Sequence, residues 1–392
     1  MFLPTLKDLD CRGKRVIIRE DLNVPMEDGH ITSDARIQAA LPTLQYALDQ
    51  GAAVIVLSHL GRPKEGYVTP EFSLAPVAKR LQTLLARSVK FVADWLNGIE
   101  VSPGEIVLCE NVRFQRGEKE NDPILAKKIA ELGDIFVMDA FATVHRDEAS
   151  TSGAAQFASQ ACAGLLLMAE LKALTQALKD PARPLLAIVG GSKVSSKLRV
   201  LKSLLYKVDT LIVAGGIANT FLLAQGYELG RSLAEADLLE ETRCLTTLAQ
   251  QNHVEIVLPI DVIVAKEISA TAKTYHKKLT EITSDEMVLD IGLESIKLYE
   301  QFIASAATIL WNGPVGVFEV APFEEGTRAL SLAIANSKAF SIAGGGDTLA
   351  AIEKYAISDK ISYISTGGGA FLEFVEGKIF PLLKILQERA RG

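Results

Sequence analysis

The side chains best suited to chemistry fall into two sets of different character. In the first half, Asp21 and Asn23, His59 and Arg62, Arg113, and His145 with Arg146 each follow closely on an apolar run. Arginine offers a planar fork of donors that matches phosphate and carboxylate oxygens. One arginine after a strand is normally a solvated one. Four successive apolar runs ending in Arg, His or Asp, on a chain of net charge -7, point instead to a pocket for a small, multiply charged anion. Arg36 joins them: it stands in the first turn of an expected helix, where a cation opposes the helix dipole unless an anion is near.

The second half carries glycines and lysines. Pro184–Val189 is an apolar run leading into Gly190-Gly191-Ser192, then Lys193 and Lys197. The spacing of four predicts that both lysines share one helical face, beside backbone N–H groups at a helix start, which would suit a polyphosphate. Gly215 and Gly216, Asn312-Gly313, Gly344-Gly345-Gly346-Asp347-Thr348 and Thr366-Gly367-Gly368-Gly369 also follow apolar runs. Glycine allows close approach of backbone to a ligand. Any one of these is explained by a tight turn; together, with the lysines, they favour a nucleotide. Asp347 is the candidate Mg²⁺ ligand, since that ion takes one or two carboxylates plus substrate phosphates.

These residues need elements to hold them. Apolar strands are expected at 15–19, 52–57, 105–109 and 134–138, then at 184–189, 210–213, 255–258, 308–311, 339–343 and 361–365. Helices are expected at about 34–49, capped by Thr32 or Ser33, at 74–86, and at 165–179. Strands alternating with helices imply an α/β fold with parallel sheets, whose ligands bind outside the carboxyl ends of the strands. The uninterrupted 165–179 helix reads as a rigid connector between two domains. The amphipathic, basic segment 380–392 could close either domain.

The totals exclude other classes. Hydrophobic residues make up 48% and charged residues 23% of 392, a globular balance with room for two domains. The acidic balance argues against nucleic-acid binding. The four cysteines, Cys11, Cys109, Cys162 and Cys244, form no CxxC pair, which suits a reducing cytosol rather than a zinc site or disulfide framework. The N-terminus lacks a signal pattern, and no apolar run reaches the ~20 residues that span a bilayer. A cytoplasmic protein is expected.

The chain closely resembles the phosphoglycerate kinase family over nearly its whole length. The stretches that carry this are R-E-D-L-N-V-P (19–25), S-H-L-G-R-P (58–63), E-N-V-R-F (110–114), D-A-F-A-T-V-H-R (139–146), G-G-S-K-V-S-S-K (190–197), L-P-I-D (258–261), W-N-G-P-V-G-V-F-E (311–319), G-G-G-D-T (344–348) and S-T-G-G-G-A (365–370). The resemblance implies two doubly wound, Rossmann-like α/β domains facing a cleft and joined by a helix. They would comprise 1–165 with 380–392 for the acid substrate, 166–181 as the interdomain helix, and 182–379 for the nucleotide, with the last helix returning to the first domain.

It also implies glycolytic phosphoryl transfer between MgATP and the carboxylate of 3-phosphoglycerate by a protein that is typically a monomer. Hinge closure would bring both ligands together. By motif, Asp21, Asn23, Arg36, His59, Leu60, Gly61, Arg62, Arg113 and Arg146 would hold the acid. Lys197, Gly215, Asn312, Glu319, Gly345, Gly346, Asp347 and Thr348 would meet the nucleotide, with Glu319 on the ribose and Asp347 on Mg²⁺. Gly367 and Gly368 would line the phosphates, and Arg36, Lys193 and Lys197 would act in catalysis. Departures from the pattern are Glu20 for an apolar residue, Ser192 and Ser196 for Ala and Asp, Asp147-Glu148 for Ala-His, and Leu293 for proline. Read without the resemblance, the residues also admit another acyl-phosphate-forming kinase acting on a different acid, or a two-lobed protein that binds an anion without chemistry.

Overall fold

Short runs of Val, Ile, Leu and Ala that are buried on both faces set the architecture. Such runs have nowhere to go but the middle of a parallel sheet covered by helices. In the computed structural model, which describes residues 3–389, the first sheet has the order Val89–Val92, Ile106–Cys109, Ala53–Leu57, Arg15–Arg19, Ile135–Met138, Gln160–Ala163. Every pair in it is parallel. Arg19 stands level with both Leu57 and Met138, so the carboxyl ends of the central strands lie along one edge. Each fully buried Ile or Val of these strands contributes roughly 1.5–3 kcal/mol.

The second sheet runs Glu255–Val257, Thr210–Val213, Leu185–Val189, Thr308–Asn312, Phe340–Gly344, Tyr363–Ser365, again all parallel. Val189 is level with Val213 and Asn312, and Gly344 with Ser365. A separate antiparallel sheet of Tyr275–Lys278, Asp261–Ala265 and Met287–Ile291 belongs to the same half. It was not expected from the sequence, because Tyr275–Lys278 is polar and mostly exposed. The edge strands Val89–Val92 and Gln160–Ala163 were also not expected; they are short, and each carries a polar residue.

The described chain divides into two compact units. One extends to Lys172 and resumes at Ile379; the other is Ala173–Lys378. The helix Leu165–Leu178 carries the chain from one to the other. The final helix, Pro381–Arg389, belongs to the first unit: it buries Leu382, Leu383 and Leu386, and Phe380 meets Phe141 edge-on at 6.2 Å. Arg389 donates to Gln156 O and Ser159 O at 3.0 and 3.1 Å. The last three residues of the segment 380–392 lie outside the described residues.

One helix start differs from expectation. In the helix Ala35–Asp49 the cap position is held by Asp34, not Thr32 or Ser33, with no side-chain bond to the helix start. The Asp34 carboxylate accepts from Gln38 and from Arg80 Nε at 2.6 and 2.7 Å, so it fastens this helix to Ala75–Leu85.

Candidate active site

The first unit's sheet edge is built by cross-ties between strand ends. Leu22 N donates to Ser58 Oγ, and Gly61 N donates to Asn23 Oδ1, both at 2.8 Å. These bonds set Asp21 and Asn23 beside His59, Leu60 and Gly61. Asp21 is buried and pairs with Arg36 from the first turn of the Ala35–Asp49 helix; His59 Nδ1 is 3.9 Å from the other Asp21 oxygen. That pairing accounts for a cation at the positive end of a helix.

Arg113 is buried at the same edge. Its backbone N donates to Asn111 Oδ1 at 3.0 Å, its Nη1 to Gly61 O at 2.7 Å, and its Nη2 to Glu148 Oε1 at 3.4 Å. Arg146 Nη1 is 3.9 Å from the same Glu148 oxygen. Arg62 is exposed and has no ion pair among the described residues. His145 is half-buried on the same loop.

Sequence reasoning missed what lies beneath. Arg19 is fully buried: its Nε donates to Ser150 Oγ at 2.9 Å, and its Nη2 is 3.4 Å from His59 Nδ1. Ser150 also donates through its N and Oγ to Glu118, at 3.0 and 2.5 Å. The signal was an arginine closing an otherwise apolar strand, a position that cannot be solvated if the strand is central.

Burial lowers the guanidinium pKa of Arg19 and Arg113, and nearby carboxylates oppose it. His59 is driven well below the usual histidine range, first by burial and then by Arg19, Arg113, Arg146 and Arg36. A neutral His59 can hydrogen-bond an oxyanion without carrying charge. Burial pushes Glu118 up to about 7, although Arg19 and Ser150 favour its anion. The edge therefore holds more positive than negative charge, with Arg19 and Arg113 withdrawn from water, and is suited to an anion with several charges.

The second unit's edge has a different chemistry. A cleft of about 380 Å³ is lined by Gly191, Gly215, Gly216, Pro314, Glu319 and Asp347, among others. Gly190 and Gly313 are in close contact across neighbouring strand ends: a Cβ on Gly190 would collide with Pro314 O, and Gly313 has φ +103°. Asn312 is fixed on both sides: its Nδ2 donates to Gly344 O at 2.5 Å, and its Oδ1 accepts from Lys197 Nζ. Gly313 N donates to Thr348 Oγ1 at 2.7 Å, and Thr348 Oγ1 donates to Gly344 O at 2.9 Å. Gly345, with φ +101°, caps the helix Gly346–Lys354, and Asp347 is exposed in its first turn. Gly367 and Gly368 form the turn before the helix Gly369–Val375.

The lysines do not share a helical face. The helix starts only at Leu198, with Lys197 as its cap; Lys193 is exposed in the preceding turn. Side chains hold that turn. Ser195 N and Oγ donate to Glu235 at 2.8 and 2.6 Å, and Ser196 Oγ donates to Lys193 O at 2.7 Å. Such bonds compete with helical ones. Lys197 is half-buried; burial lowers its pKa, and Asp347 partly restores it.

Comparison with known proteins agrees with this geometry. The family model described as "Phosphoglycerate kinase" matches residues 6–378. Phosphoglycerate kinase of Legionella pneumophila (strain Corby) is 60% identical over 391 residues, covering 100% of this chain and 99% of its own. That of Francisella tularensis is 59% identical over 386 residues, 98% of each chain. A solved phosphoglycerate kinase from Coxiella burnetii matches with TM-score 0.93 at 55% identity, covering 99% of this chain and 100% of that one. Another, from Pyrococcus horikoshii OT3, gives 0.85 at 33% identity with both chains fully covered. An arginine-lined strand edge in one unit, a glycine-lined one in the other, and a match along almost the entire sequence lead to one conclusion: the chain belongs to the phosphoglycerate kinase family.

Proposed function

We propose that this chain transfers the γ-phosphoryl group of ATP to the carboxylate of 3-phosphoglycerate, reversibly, giving ADP and 1,3-bisphosphoglycerate in glycolysis. The observation that carries the reading is the cationic strand edge of the first unit, where Arg36 and Arg113 flank Asp21, His59 and Gly61. Family membership disfavours the two alternatives, a kinase for another acid and a non-catalytic anion binder.

The acceptor is a carboxylate, a group that ionises near pH ~4 and is fully charged at neutral pH. No general base is needed, and a neutral His59 is free to serve as a ligand. Catalysis then rests on alignment and on charge stabilisation. In this reading Asp21, Asn23, His59, Leu60, Gly61, Arg62, Arg113 and Arg146 hold the acid. Arg36 and Lys197 stabilise the transferred group, and Lys193 assists from its exposed turn. Glu319 and Asp347, which line the cleft, accept from the ribose and hold Mg²⁺. Gly215, Asn312, Gly345, Gly346 and Thr348 shape the nucleotide site, and Gly367 and Gly368 its phosphate end.

The donor set fits magnesium. Among the described residues no group of three or more His, Cys, Asp or Glu could cage a metal, and Asp347 is an exposed carboxylate with no ion pair there. A single carboxylate sharing an ion with phosphates is the usual Mg²⁺ arrangement. When bound, the ion supplies neutralising charge to the phosphates.

A cytoplasmic monomer is part of the proposal. Cys11, Cys109, Cys162 and Cys244 are all free thiols, as a reducing compartment would leave them. Among the described residues no helix is long and apolar enough to cross a membrane.

The deciding experiment is ATP consumption with Mg²⁺ and 3-phosphoglycerate, with hydroxylamine to trap an acyl phosphate. Trapped product that requires all three components supports the reading; untouched ATP with verifiably folded protein overturns it. Arg62→Ala is expected to raise KM for the acid by ~10-fold or more, the scale of a lost charge-assisted hydrogen bond, with kcat nearly unchanged. An unaltered KM removes Arg62 from the acid site.

A further inference from the structure

Glu20 and Asp139 are both fully buried. They follow the paired residues Arg19 and Met138, so they emerge side by side from adjacent parallel strands. No donor group among the described residues reaches either Glu20 oxygen or Asp139 Oδ2. The two carboxyl groups, fully buried at matched ends of paired strands, face each other. Asp139 Oδ1 accepts from Leu167 N at 2.9 Å, in the first turn of the Leu165–Leu178 helix. Gly164 is required here because a Cβ would collide with the Asp139 carboxylate.

One cation, Arg19, stands near the pair, and its donors are engaged elsewhere. On its own strand end Glu20 is flanked by Arg19 and Asp21, but the Arg19 guanidinium is committed to Ser150 Oγ, the Glu20 backbone carbonyl and His59. Thr43 approaches Asp139 from the Ala35–Asp49 helix. From the Leu165–Leu178 helix come the Leu167 N–H and, further along, the buried Glu170. Two touching carboxylates cannot both stay ionised in such a site, and an anion there with no donor is expensive. A single proton between them joins one Glu20 oxygen to Asp139 Oδ2, two of the three orphaned oxygens.

We propose that Glu20 and Asp139 share one proton in the folded protein, and that Glu20, as the neutral donor, is a positioning residue for the acid-binding turn. Glu20 begins the turn that carries Asp21, the partner of Arg36, and Asn23, the acceptor for Gly61. Fastening the Glu20 side chain to Asp139 holds the root of that turn from below. Burial pushes the Glu20 carboxyl far above its usual range, and burial likewise pushes Asp139 up to about 6.

The direct test is infrared spectroscopy of the full chain for the C=O stretch of a protonated carboxyl. It is recorded at neutral pH as the difference between native and variant, in which the bands of Glu118 and Asp290, each pushed up to about 7, cancel. The native band is expected to vanish in both Glu20→Gln and Asp139→Asn, which keep the shapes and one N–H donor. A native protein without the band overturns the proposal, as does a band that survives in both variants.

Kinetics test the positioning role and rest on the function proposed above. Glu20→Leu leaves Asp139 Oδ2 without its donor and is expected to raise KM for the acid roughly tenfold, the scale of a buried unpaired polar atom. Its kcat should hold within about twofold, and Glu20→Gln should restore the native KM. An unchanged KM in Glu20→Leu overturns the role. If no acid is phosphorylated at all, the spectroscopic arm still decides the shared proton.

Linkage gives a further check. A carboxyl whose folded pKa is raised contributes stability below its unfolded value that is lost as pH rises toward the folded one. Glu20→Gln is therefore expected to flatten the decline of Tm with pH above the carboxylate range, and an identical decline in both proteins overturns the assignment.

Discussion

Arg36→Ala is expected to cut turnover by ~10²-fold or more at saturating substrates, the usual loss for one electrostatic stabiliser of a transition state. The fold does not depend on this side chain. The Ala35–Asp49 helix is anchored by Ile37, Ala40, Leu44, Ala47 and Leu48, all buried, whereas the Arg36 side chain is 30% exposed and its ion pair is with Asp21. A cation in the first turn is unfavourable to the helix itself, so removing it should leave Tm nearly unchanged or slightly raised. The loss should appear in kcat, because stabilisation of charge on a transferring phosphoryl group is realised in the transition state. Arg36→Lys should recover only part of it, since a point charge replaces a fork that serves Asp21 and the substrate together. Turnover within tenfold of native in Arg36→Ala removes the catalytic role and leaves Arg36 as a ligand of the acid.

The placement of Asp21, His59, Arg62, Arg113 and Arg146 was legible because each lies within eight residues of the end of a strand whose apolar run is unmistakable, and parallel strands put such ends on one edge. The glycine-rich ends of the second unit were readable for the same reason. What the sequence did not reveal depends on contacts between distant parts of the chain. Arg19 looked like the last residue of a strand; its partners Ser150 and Glu118 lie 131 and 99 residues away, and no local pattern joins them. The turn at 192–197 reads as helix from the sequence because glycine, serine and two lysines suit a helix start. Glu235, forty residues on, holds Ser195 and keeps the turn open. Glu20 stood out only as a polar residue in an apolar place, and its meaning depends on Asp139 emerging from the neighbouring strand.

Lys197→Ala is expected to be at least as damaging as Arg36→Ala, with ~10²-fold or greater loss of turnover. The ammonium is held in place: Asn312 accepts from it, and Asn312 is itself fixed by its bond to Gly344 O at 2.5 Å. A pre-placed charge needs little reorganisation when the phosphoryl group moves, which is where electrostatic catalysis gains most. Burial weakens the hold of Lys197 on its proton, and Asp347 opposes that. Loss of that proton removes the charge, so the activity of the native chain is expected to fall on the alkaline side, at a lower pH than an ordinary lysine would set. Lys197→Arg should rescue poorly, since Asn312 offers one side-chain oxygen and a guanidinium is planar and larger. Lys193 provides the contrast: it is exposed and outside any helix, so Lys193→Ala should cost less. Equal losses in the two alanine variants would mean that the 192–197 turn rearranges around the nucleotide. Turnover within tenfold of native in Lys197→Ala would remove the role assigned to it and leave the glycine-lined strand ends, with Mg²⁺ on Asp347, to bind the phosphates.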